Sequence, residues 1–262
     1  MSVVPQQDGR KLFETWPDVQ PGIWDTIIIG SGMSGMSCAA ALARQGQRIL
    51  LLEQHFIPGG FTHVFARKGF EWDVGVHALG EMEPGEMPRR LLDWLTQNSV
   101  EMESLGDPYD RFYFPEGFEV SFADNPHAFR SGLKRIFPDE AGKIDQYFRL
   151  SRKAARSARW FFAGKILPSW LCSLGSAIRK PFLPDWWKLT TEQIFDELDI
   201  KGELRCVLAA QWGYYGEIPR DSSFAMQAMI HSHFRNGAYY PVGGSRSLAD
   251  GLLATVKACN GQ

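Results

Sequence analysis

Short apolar runs alternate with a run of small residues near the start of the chain. Residues 24–29 (Trp-Asp-Thr-Ile-Ile-Ile) and 48–52 (Arg-Ile-Leu-Leu-Leu) have the composition of two buried strands. Residues 34–44 lie between them, consist mostly of small residues such as Ala and Ser, and predict a helix that Gly46 ends. A strand, a helix and a second strand in this order predict a βαβ unit with parallel strands.

After the βαβ unit the alternation of strands and helices is not continued. Residues 61–75 predict two short strands about an Arg-Lys-Gly turn, and residues 111–122 predict a β-hairpin about a Pro-Glu-Gly turn. Helical patterns cover residues 126–136 and 139–162, and a Thr190-x-x-Gln193 capping box predicts the start of a further helix. A hairpin and helices inserted after a βαβ unit predict a second domain.

The end of the chain returns towards a nucleotide-domain pattern. Gly243-Gly244-Ser245 predicts a turn into a helix over residues 248–258, and Asn260-Gly261 predicts a turn towards another strand. A doubly wound nucleotide domain needs several parallel strands, whereas the pattern supplies two. We therefore expect the remaining strands after residue 262, which predicts an N-terminal fragment of a longer protein.

Composition narrows the function classes. The 262 residues are 44% hydrophobic and 22% charged, with a formal net charge of −2, so no overall positive field favours nucleic acid as a partner. Nine Trp and 18 Phe are compatible with a bulky apolar core or with a pocket for an apolar ligand.

Four isolated cysteines indicate a reducing compartment and neither a disulfide framework nor a structural zinc site. His231 and His233 are two residues apart with no third ligand nearby, so we expect no metal site. Residues 1–23 contain no apolar segment typical of a signal peptide, and no apolar run approaches the roughly 18 residues needed to cross a bilayer. The chain is expected on the cytoplasmic side, soluble or peripherally membrane-bound, and not secreted.

The turn between the first strand and the helix has the spacing Gly-x-Gly-x-x-Gly. Gly30 permits the tight turn, Gly32 lets a diphosphate approach the backbone, and Gly35 lets the helix lie close to the sheet. Met33 and Ser34 begin the helix, where free N–H groups and the helix dipole favour phosphate. The turn therefore predicts dinucleotide binding.

An acidic residue follows the second strand at the distance that this site requires. Glu53 lies 18 residues after Gly35 and is expected to accept hydrogen bonds from the adenosine ribose, with Gln54 beside it. A carboxylate at this position repels a 2′-phosphate, which disfavours NADP.

The segment after Glu53 bears on the choice between NAD and FAD. Gly59 and Gly60 give the backbone two positions without side chains, either beside the bound dinucleotide or in a plain loop that needs glycines for turning. Phe61 and Thr62 follow directly, and the segment that ends in Val76-His77 comes after the short hairpin.

These motifs together resemble flavoproteins of the phytoene desaturase group, and most of all its retinol saturase and carotenoid isomerase branch. The similarity rests on Ile-Ile-Ile-Gly-Ser-Gly-Met-Ser-Gly, Leu-Leu-Glu-Gln-His, the Gly-Gly pair and Phe-Glu-Trp-Asp-Val-Gly-Val-His. It continues in Phe-Pro-Asp-Glu at residue 137, Trp-Gly-Tyr-Tyr-Gly-Glu-Ile-Pro at residue 212 and residues 233–245. Amine oxidases share the Glu-x5-Gly-Gly element but usually follow it with Arg, where this chain has Phe61.

The resemblance implies FAD as the cofactor and a lipophilic polyene, such as a carotenoid or retinoid, as the substrate. It implies saturation, desaturation or isomerisation of carbon–carbon double bonds, with FAD carrying the redox chemistry. Gly59–Thr62 and Val76–His77 are then expected near the flavin, although His77 is equally compatible with a structural role. The sequence identifies no catalytic residue. The alternatives are a non-catalytic nucleotide- or lipid-binding fragment and an amine-oxidase-like flavoenzyme.

The predicted fold class is α/β, and α+β over the whole chain. A Rossmann-like FAD-binding βαβ unit carries an inserted hairpin-plus-helices substrate domain, and the nucleotide domain is incomplete at the C-terminus. The predicted divisions are a polar extension (1–23), the first part of the FAD-binding domain (24–80), a substrate- and membrane-facing domain (81–235) and a return to the FAD-binding domain (236–262).

One stretch favours contact with a membrane surface. Residues 146–184 contain no Asp or Glu, whereas Arg and Lys alternate there with Trp, Phe and Leu. Basic and aromatic residues in this mixture suit an anionic lipid surface beside the substrate entrance. A solvated helix face whose charges pair elsewhere in the fold is the alternative.

Overall fold

The structure is a computed structural model that describes residues 22–166 and 185–262. Its strands there are β1 (Thr26–Ile29), β2 (Ile49–Leu52), β3 (Val64–Arg67), β4 (Phe70–Asp73), β5 (Met102–Ser104), β6 (Asp110–Tyr113), β7 (Glu119–Phe122) and β8 (Tyr239–Pro241). Its helices there are α1 (Met33–Arg44), α2 (Met87–Leu95), α3 (Pro126–Ile136), α4 (Ala141–Ile166), α5 (Thr191–Glu197), α6 (Gly202–Ala209), α7 (Phe224–His233) and α8 (Arg246–Ala258).

The chain divides into two compact units, Met1–Leu105 with Ala238–Gln262 and Gly106–Gly237. These units do not divide at the predicted boundaries, because residues 81–105 pack into the first unit. There Leu92 of α2 and Met102 of β5 are buried against Leu248 of α8. The assignment of residues 81–235 to a substrate domain stays a prediction.

The βαβ unit forms as the sequence predicts. β1 and β2 are parallel, with Thr26 opposite Ile49 and Ile29 opposite Leu52. α1 and α8 pack together beside this sheet, because fully buried Ala39 and Ala40 in α1 let the helices approach. The small residues that predicted the helix therefore also determine how closely it packs.

The predicted turn at Asn260-Gly261 brings the backbone back to the sheet. Asn260 has a φ of +61°, and the N–H of Gln262 then donates to the carbonyl of Ile49 at 2.8 Å. The N–H of Leu51 donates to the carbonyl of Gln262 at 2.8 Å, so Gln262 lies alongside β2.

The two predicted hairpins are confirmed. β3 and β4 are antiparallel about Lys68 and Gly69. β6 and β7 are also antiparallel, with Asp110 opposite Phe122 and Tyr113 opposite Glu119. The antiparallel pair β5–β8 was not predicted, because each of its strands has only three residues and no alternating pattern.

The second unit has a helical core. Tyr147 of α4, Phe195 of α5 and Phe224 of α7 are fully buried in it. The predicted helix over residues 139–162 is present but begins at Ala141, after a 3-10 turn at Pro138–Glu140. The capping box of Thr190 and Gln193 is confirmed at the start of α5.

Parts of two predicted features lie outside the described residues: residues 1–21 of the polar extension, and residues 167–184 of the basic stretch. Among the helices that are described, none is long and apolar enough to cross a membrane.

Candidate functional site

The glycine turn between β1 and α1 is tightly constrained. Gly30 has a φ of +97°, and its N–H donates to the carbonyl of Leu52 at 2.7 Å. A Cβ added to Gly35 would lie 1.9 Å from the carbonyl oxygen of Gly30, so only glycine fits there. The first and last glycines therefore have structural roles that follow directly from their contacts.

Gly32 is different, because a Cβ added to it would meet no atom within 4 Å. It is the N-cap of α1 with φ −66° and ψ 171°, a conformation open to any residue. No side chain caps this helix. The N–H groups of Met33 and Ser34 in its first turn therefore have no side-chain cap as acceptor. We name the open space beside this helix start the cradle, and a helix start of this kind favours an anionic group.

Glu53 is bound to the turn through Ser31. Its Oε2 accepts from the N–H of Ser31 at 2.8 Å and from the Ser31 hydroxyl at 2.6 Å, and its Oε1 accepts from the N–H of His55 at 2.8 Å. The hydrogen bond from the Ser31 side chain is the largest cause that lowers the pKa of Glu53, to about 2. Glu53 is therefore ionised at neutral pH, and partly exposed.

Ser31 also binds the loop that contains the Gly-Gly pair. The N–H of Gly59 donates to both the carbonyl and the Oγ of Ser31, each at 3.1 Å. Ser31 is 1% exposed and joins three segments of the site, a role that the sequence did not predict. Its position inside the glycine motif was the available signal.

The Gly-Gly pair lies directly against the turn. Gly59 has a φ of +120° and Gly60 of +56°, and a Cβ on Gly60 would lie 2.9 Å from the Cα of Gly32. The two glycines are therefore required by backbone conformation and by close approach to the cradle. The chain brings Gly32 and Gly60 together, and a dinucleotide at this position stays a prediction.

The remaining predicted residues differ in their surroundings. Thr62 is buried, and its Oγ1 donates to the carbonyl of Gly59 at 2.8 Å. The Phe61 side chain is 79% exposed. A Cβ added to Gly75 would lie 2.8 Å from the Cβ of Phe61. The others lie at the surface or partly buried: Met33, Ser34, Gln54 and His77 are exposed and Val76 is partly buried.

Two histidines flank the loop. The Nδ1 of His63 lies 2.5 Å from the carbonyl oxygen of Gly60, and the ring centroid of His63 lies 5.1 Å from that of His55. No cluster of three or more metal-binding side chains was found among the described residues.

Comparison with known proteins shows what the chain is similar to. Residues 28–95 match the family model of the NAD(P)-binding Rossmann-like domain. The chain is 34% identical over 245 residues to the all-trans-retinol 13,14-reductase of Homo sapiens, covering 90% of this chain and 40% of that protein. It is 32% identical over 127 residues to a prolycopene isomerase of an Oncidium hybrid cultivar, covering 48% of this chain and 22% of that protein.

The chain is a homologue of both proteins. The resemblance to the retinol saturase and carotenoid isomerase branch is thereby confirmed, although the chain spans less than half the length of either relative. Among solved structures, wild-type putrescine oxidase bound to putrescine has a TM-score of 0.56 at 14% identity, covering 90% of this chain and 50% of that chain. This likeness concerns the fold alone, and with the Rossmann-like match it confirms the predicted fold class.

Proposed function

We propose that this chain supplies the nucleotide-binding part of an FAD-dependent oxidoreductase that acts on a lipophilic polyene, by saturation, desaturation or isomerisation of carbon–carbon double bonds. The observation that carries the proposal is the cradle at Gly32, which the Ser31–Glu53 and Ser31–Gly59 hydrogen bonds hold in place. The names of the two homologous enzymes support a retinoid or carotenoid as the substrate class.

The residues present fit the adenosine and diphosphate half of FAD. The first turn of α1 would bind the diphosphate above Gly32, while Gly30 and Gly35 maintain the turn. The ionised carboxylate of Glu53 would accept hydrogen bonds from the ribose hydroxyls, beside Gln54. The same charge disfavours a 2′-phosphate at this position.

The flavin half would lie beside Gly59–Thr62 and Val76–His77. The loop of Gly59 and Gly60 needs its glycines for positive φ and for close packing, on Thr62 and on Gly32 respectively, which holds the loop beside the cradle. Phe61 exposes most of its ring next to it. When bound, FAD exchanges hydride equivalents with a substrate carbon. The protein residues named here bind and orient the cofactor, and no proton-transfer group is assigned.

A Gly32→Ala substitution tests the cofactor site. The new methyl meets no protein atom within 4 Å, so we expect thermal stability to be retained while the methyl occupies the space of the diphosphate. FAD affinity, measured by equilibrium dialysis with flavin absorbance, should fall at least about tenfold, as expected for loss of about 1.4 kcal/mol of binding free energy. Gly142→Ala is the matched control, because that position in α4 is also open.

Unchanged FAD affinity in Gly32→Ala would place the cofactor elsewhere. If the unsubstituted chain retains no flavin at saturating FAD, the cofactor proposal fails for this chain and the non-catalytic alternative is favoured.

Substrate class requires a separate experiment. The FAD-loaded chain would be incubated anaerobically in three separate reactions. In the first, the bound flavin is chemically reduced and the substrate is all-trans-retinol. In the other two, the bound flavin is oxidised and the substrate is prolycopene or putrescine. Chromatography would follow the polyene products, and flavin bleaching would follow amine oxidation. Conversion of either polyene supports the proposal, whereas bleaching by putrescine alone supports the amine-oxidase alternative.

We also propose that residues 146–184 dock the protein on an anionic membrane. In the described part, the side chains of Arg149, Arg152, Lys153 and Arg156 are exposed on α4, and Phe161 and Phe162 are 39% and 50% exposed. Cations beside aromatic rings suit the lipid headgroup region. The side chains of residues 159, 160 and 163–184 lie outside the described residues.

Flotation with vesicles that contain phosphatidylserine tests this proposal. Replacement of Arg149, Arg152 and Arg156 by Glu should abolish flotation, because it reverses the charge of the exposed face. The same reversal at Lys68, Arg90 and Arg220 is the control and should weaken flotation less. Equal loss in both triple variants would indicate a general charge effect, and no loss in the α4 variant would overturn the proposal.

A further inference from the structure

Ser245 is a buried polar residue at the start of α8 that joins distant parts of the first unit. It is 0% exposed. Its Oγ donates to Oδ1 of Asp73 at 2.5 Å, and its N–H donates to the same oxygen at 3.2 Å. The carboxylate lies at the N-terminus of a 13-residue helix, where the helix dipole favours a negative charge.

The same hydroxyl reaches the loop of the Gly-Gly pair. Ser245 Oγ lies 3.1 Å from the carbonyl oxygen of Thr62, and Thr62 in turn binds the carbonyl of Gly59 through its Oγ1 and its N–H. Further along α8, Ala249 lies close to the loop, because a Cβ added to Gly59 would lie 3.3 Å from the Cβ of Ala249. The start of α8 therefore supports the loop through a hydrogen bond and through packing.

Ser245 thus contacts both segments that are expected beside the flavin. One is Gly59–Thr62, and the other begins directly after Asp73 at the end of β4 and leads to Val76–His77. The single hydroxyl hydrogen is shared between Asp73 and the Thr62 carbonyl, with the carboxylate the stronger acceptor. Removing the hydroxyl releases the Thr62 carbonyl and leaves Asp73 only the longer bond from the N–H of residue 245, whereas removing the carboxylate affects the Asp73 segment alone.

We propose that Ser245 is a positioning residue for the flavin ring, which holds Gly59–Thr62 and the Asp73–His77 segment in their bound arrangement. This inference rests on the proposed FAD site. The glycine turn and Glu53, which would hold the ADP half, are joined to each other through Ser31. Ser245 instead binds Thr62 and Asp73 on the flavin side, and the two halves meet where Gly59 binds Ser31.

Ser245→Ala tests the proposal against two ligands. ADP occupies only the glycine turn and Glu53, so its affinity by titration calorimetry should stay within about twofold. FAD affinity should fall about tenfold, the effect of losing one hydrogen bond to a charged group. The visible spectrum of the remaining bound flavin should also move towards that of free FAD.

Two variants keep the result interpretable. Ser247→Ala removes a hydroxyl two residues further along, which donates to the carbonyl of Gly244 at 2.9 Å, and should leave both affinities unchanged. Asp73→Asn keeps an acceptor oxygen for Ser245 and should lose less FAD affinity than Asp73→Ala.

Equal losses of ADP and FAD affinity, or no loss of either, in Ser245→Ala would overturn the positioning role while leaving the FAD site intact. Binding of ADP but not FAD by the unsubstituted chain would instead overturn the proposed function, and the positioning role with it.

Discussion

Ser31 and Glu53 are joined by two hydrogen bonds, from the N–H and from the hydroxyl of the serine to one carboxylate oxygen. The contact fixes the glycine turn to the end of β2, although the two residues are 22 positions apart. It also makes the charge of Glu53 a contributor to stability, because both donors favour the ionised form.

The first prediction concerns the pH dependence of this contact. The ordinary pKa of a glutamate is 4.5, and the pKa of Glu53 in the folded protein is about 2. The folded state therefore binds fewer protons between these values, so the stabilisation is fully present above pH 4.5 and is lost as the pH falls towards 2. At pH 7 Glu53→Gln should lower the free energy of unfolding by about 1 kcal/mol, a value reduced for solvent exposure.

Urea unfolding at pH 7 and at pH 3 measures the effect. The difference between Glu53→Gln and the unsubstituted chain should shrink at the lower pH. Glu71→Gln, at an exposed position on β4, is the control and should show a smaller difference at both pH values. A difference that grows on acidification would contradict the argument.

The second prediction concerns the crossing of α1 over the glycine turn. Gly35→Ala would place a methyl 1.9 Å from the carbonyl oxygen of Gly30, so the helix must move away from the sheet. We expect a loss of about 3 kcal/mol in the free energy of unfolding, as for other overpacked sites. In thermal unfolding, the midpoint temperature should fall strongly for Gly35→Ala and change little for Gly32→Ala, although both variants remove a glycine of the same motif.

The βαβ unit and the glycine turn could be predicted because their signals are local. Apolar runs, glycine spacing and the acid after β2 all lie within about 30 residues, as in other βαβ units. The capping box of Thr190 and the hairpin of β6 and β7 were predictable for the same reason. Their stabilising contacts involve residues close in sequence.

The rest of the site depends on contacts that leave no local pattern. Asp73 and Ser245 are 172 residues apart, and nothing in the neighbouring sequence identifies them as partners. The pairing of Met102 with Pro241 likewise joins strands too short to show alternation. His231 and His233 lie on α7, so their spacing of two places them on different faces, and His231 contacts Tyr147.

The third prediction concerns His231 in the second unit. Its Nδ1 lies 3.2 Å from the Tyr147 hydroxyl and its Nε2 lies 3.2 Å from Nε2 of Gln227. Burial lowers the pKa of His231 from 6.5 to about 4, because the charged ring loses solvation. The unfolded chain therefore binds more protons between these values, and stability is lost as the pH falls from 6.5 to 4.

The expected loss is about 2–3 kcal/mol over this range, with the ring treated as partly solvated. His231→Gln cannot titrate and should flatten the pH profile of urea unfolding between 6.5 and 4. His127→Gln, at an exposed position in α3, should leave the profile unchanged. An unaltered slope in His231→Gln would show that another group causes the acid sensitivity.

The fourth prediction concerns the start of α5. The Thr190 hydroxyl accepts from the N–H of Gln193 at 3.1 Å, and the Gln193 side chain accepts from the N–H of Thr190 at 2.9 Å. Thr190→Ala removes the acceptor for an N–H group that has no partner within the helix, so it should lower the free energy of unfolding by about 1 kcal/mol.

Ser131→Ala is the matched control, because Ser131 is exposed inside α3, where alanine has the higher helix propensity. It also removes one hydroxyl from a helix of the second unit, but it should leave the protein equally stable or slightly more stable. The double variant Thr190→Ala/Gln193→Ala tests the reciprocal character of the box. Each bond depends on the geometry that the other maintains, so its loss should be smaller than the sum of the two single losses. Additive losses would show that the two hydrogen bonds act independently.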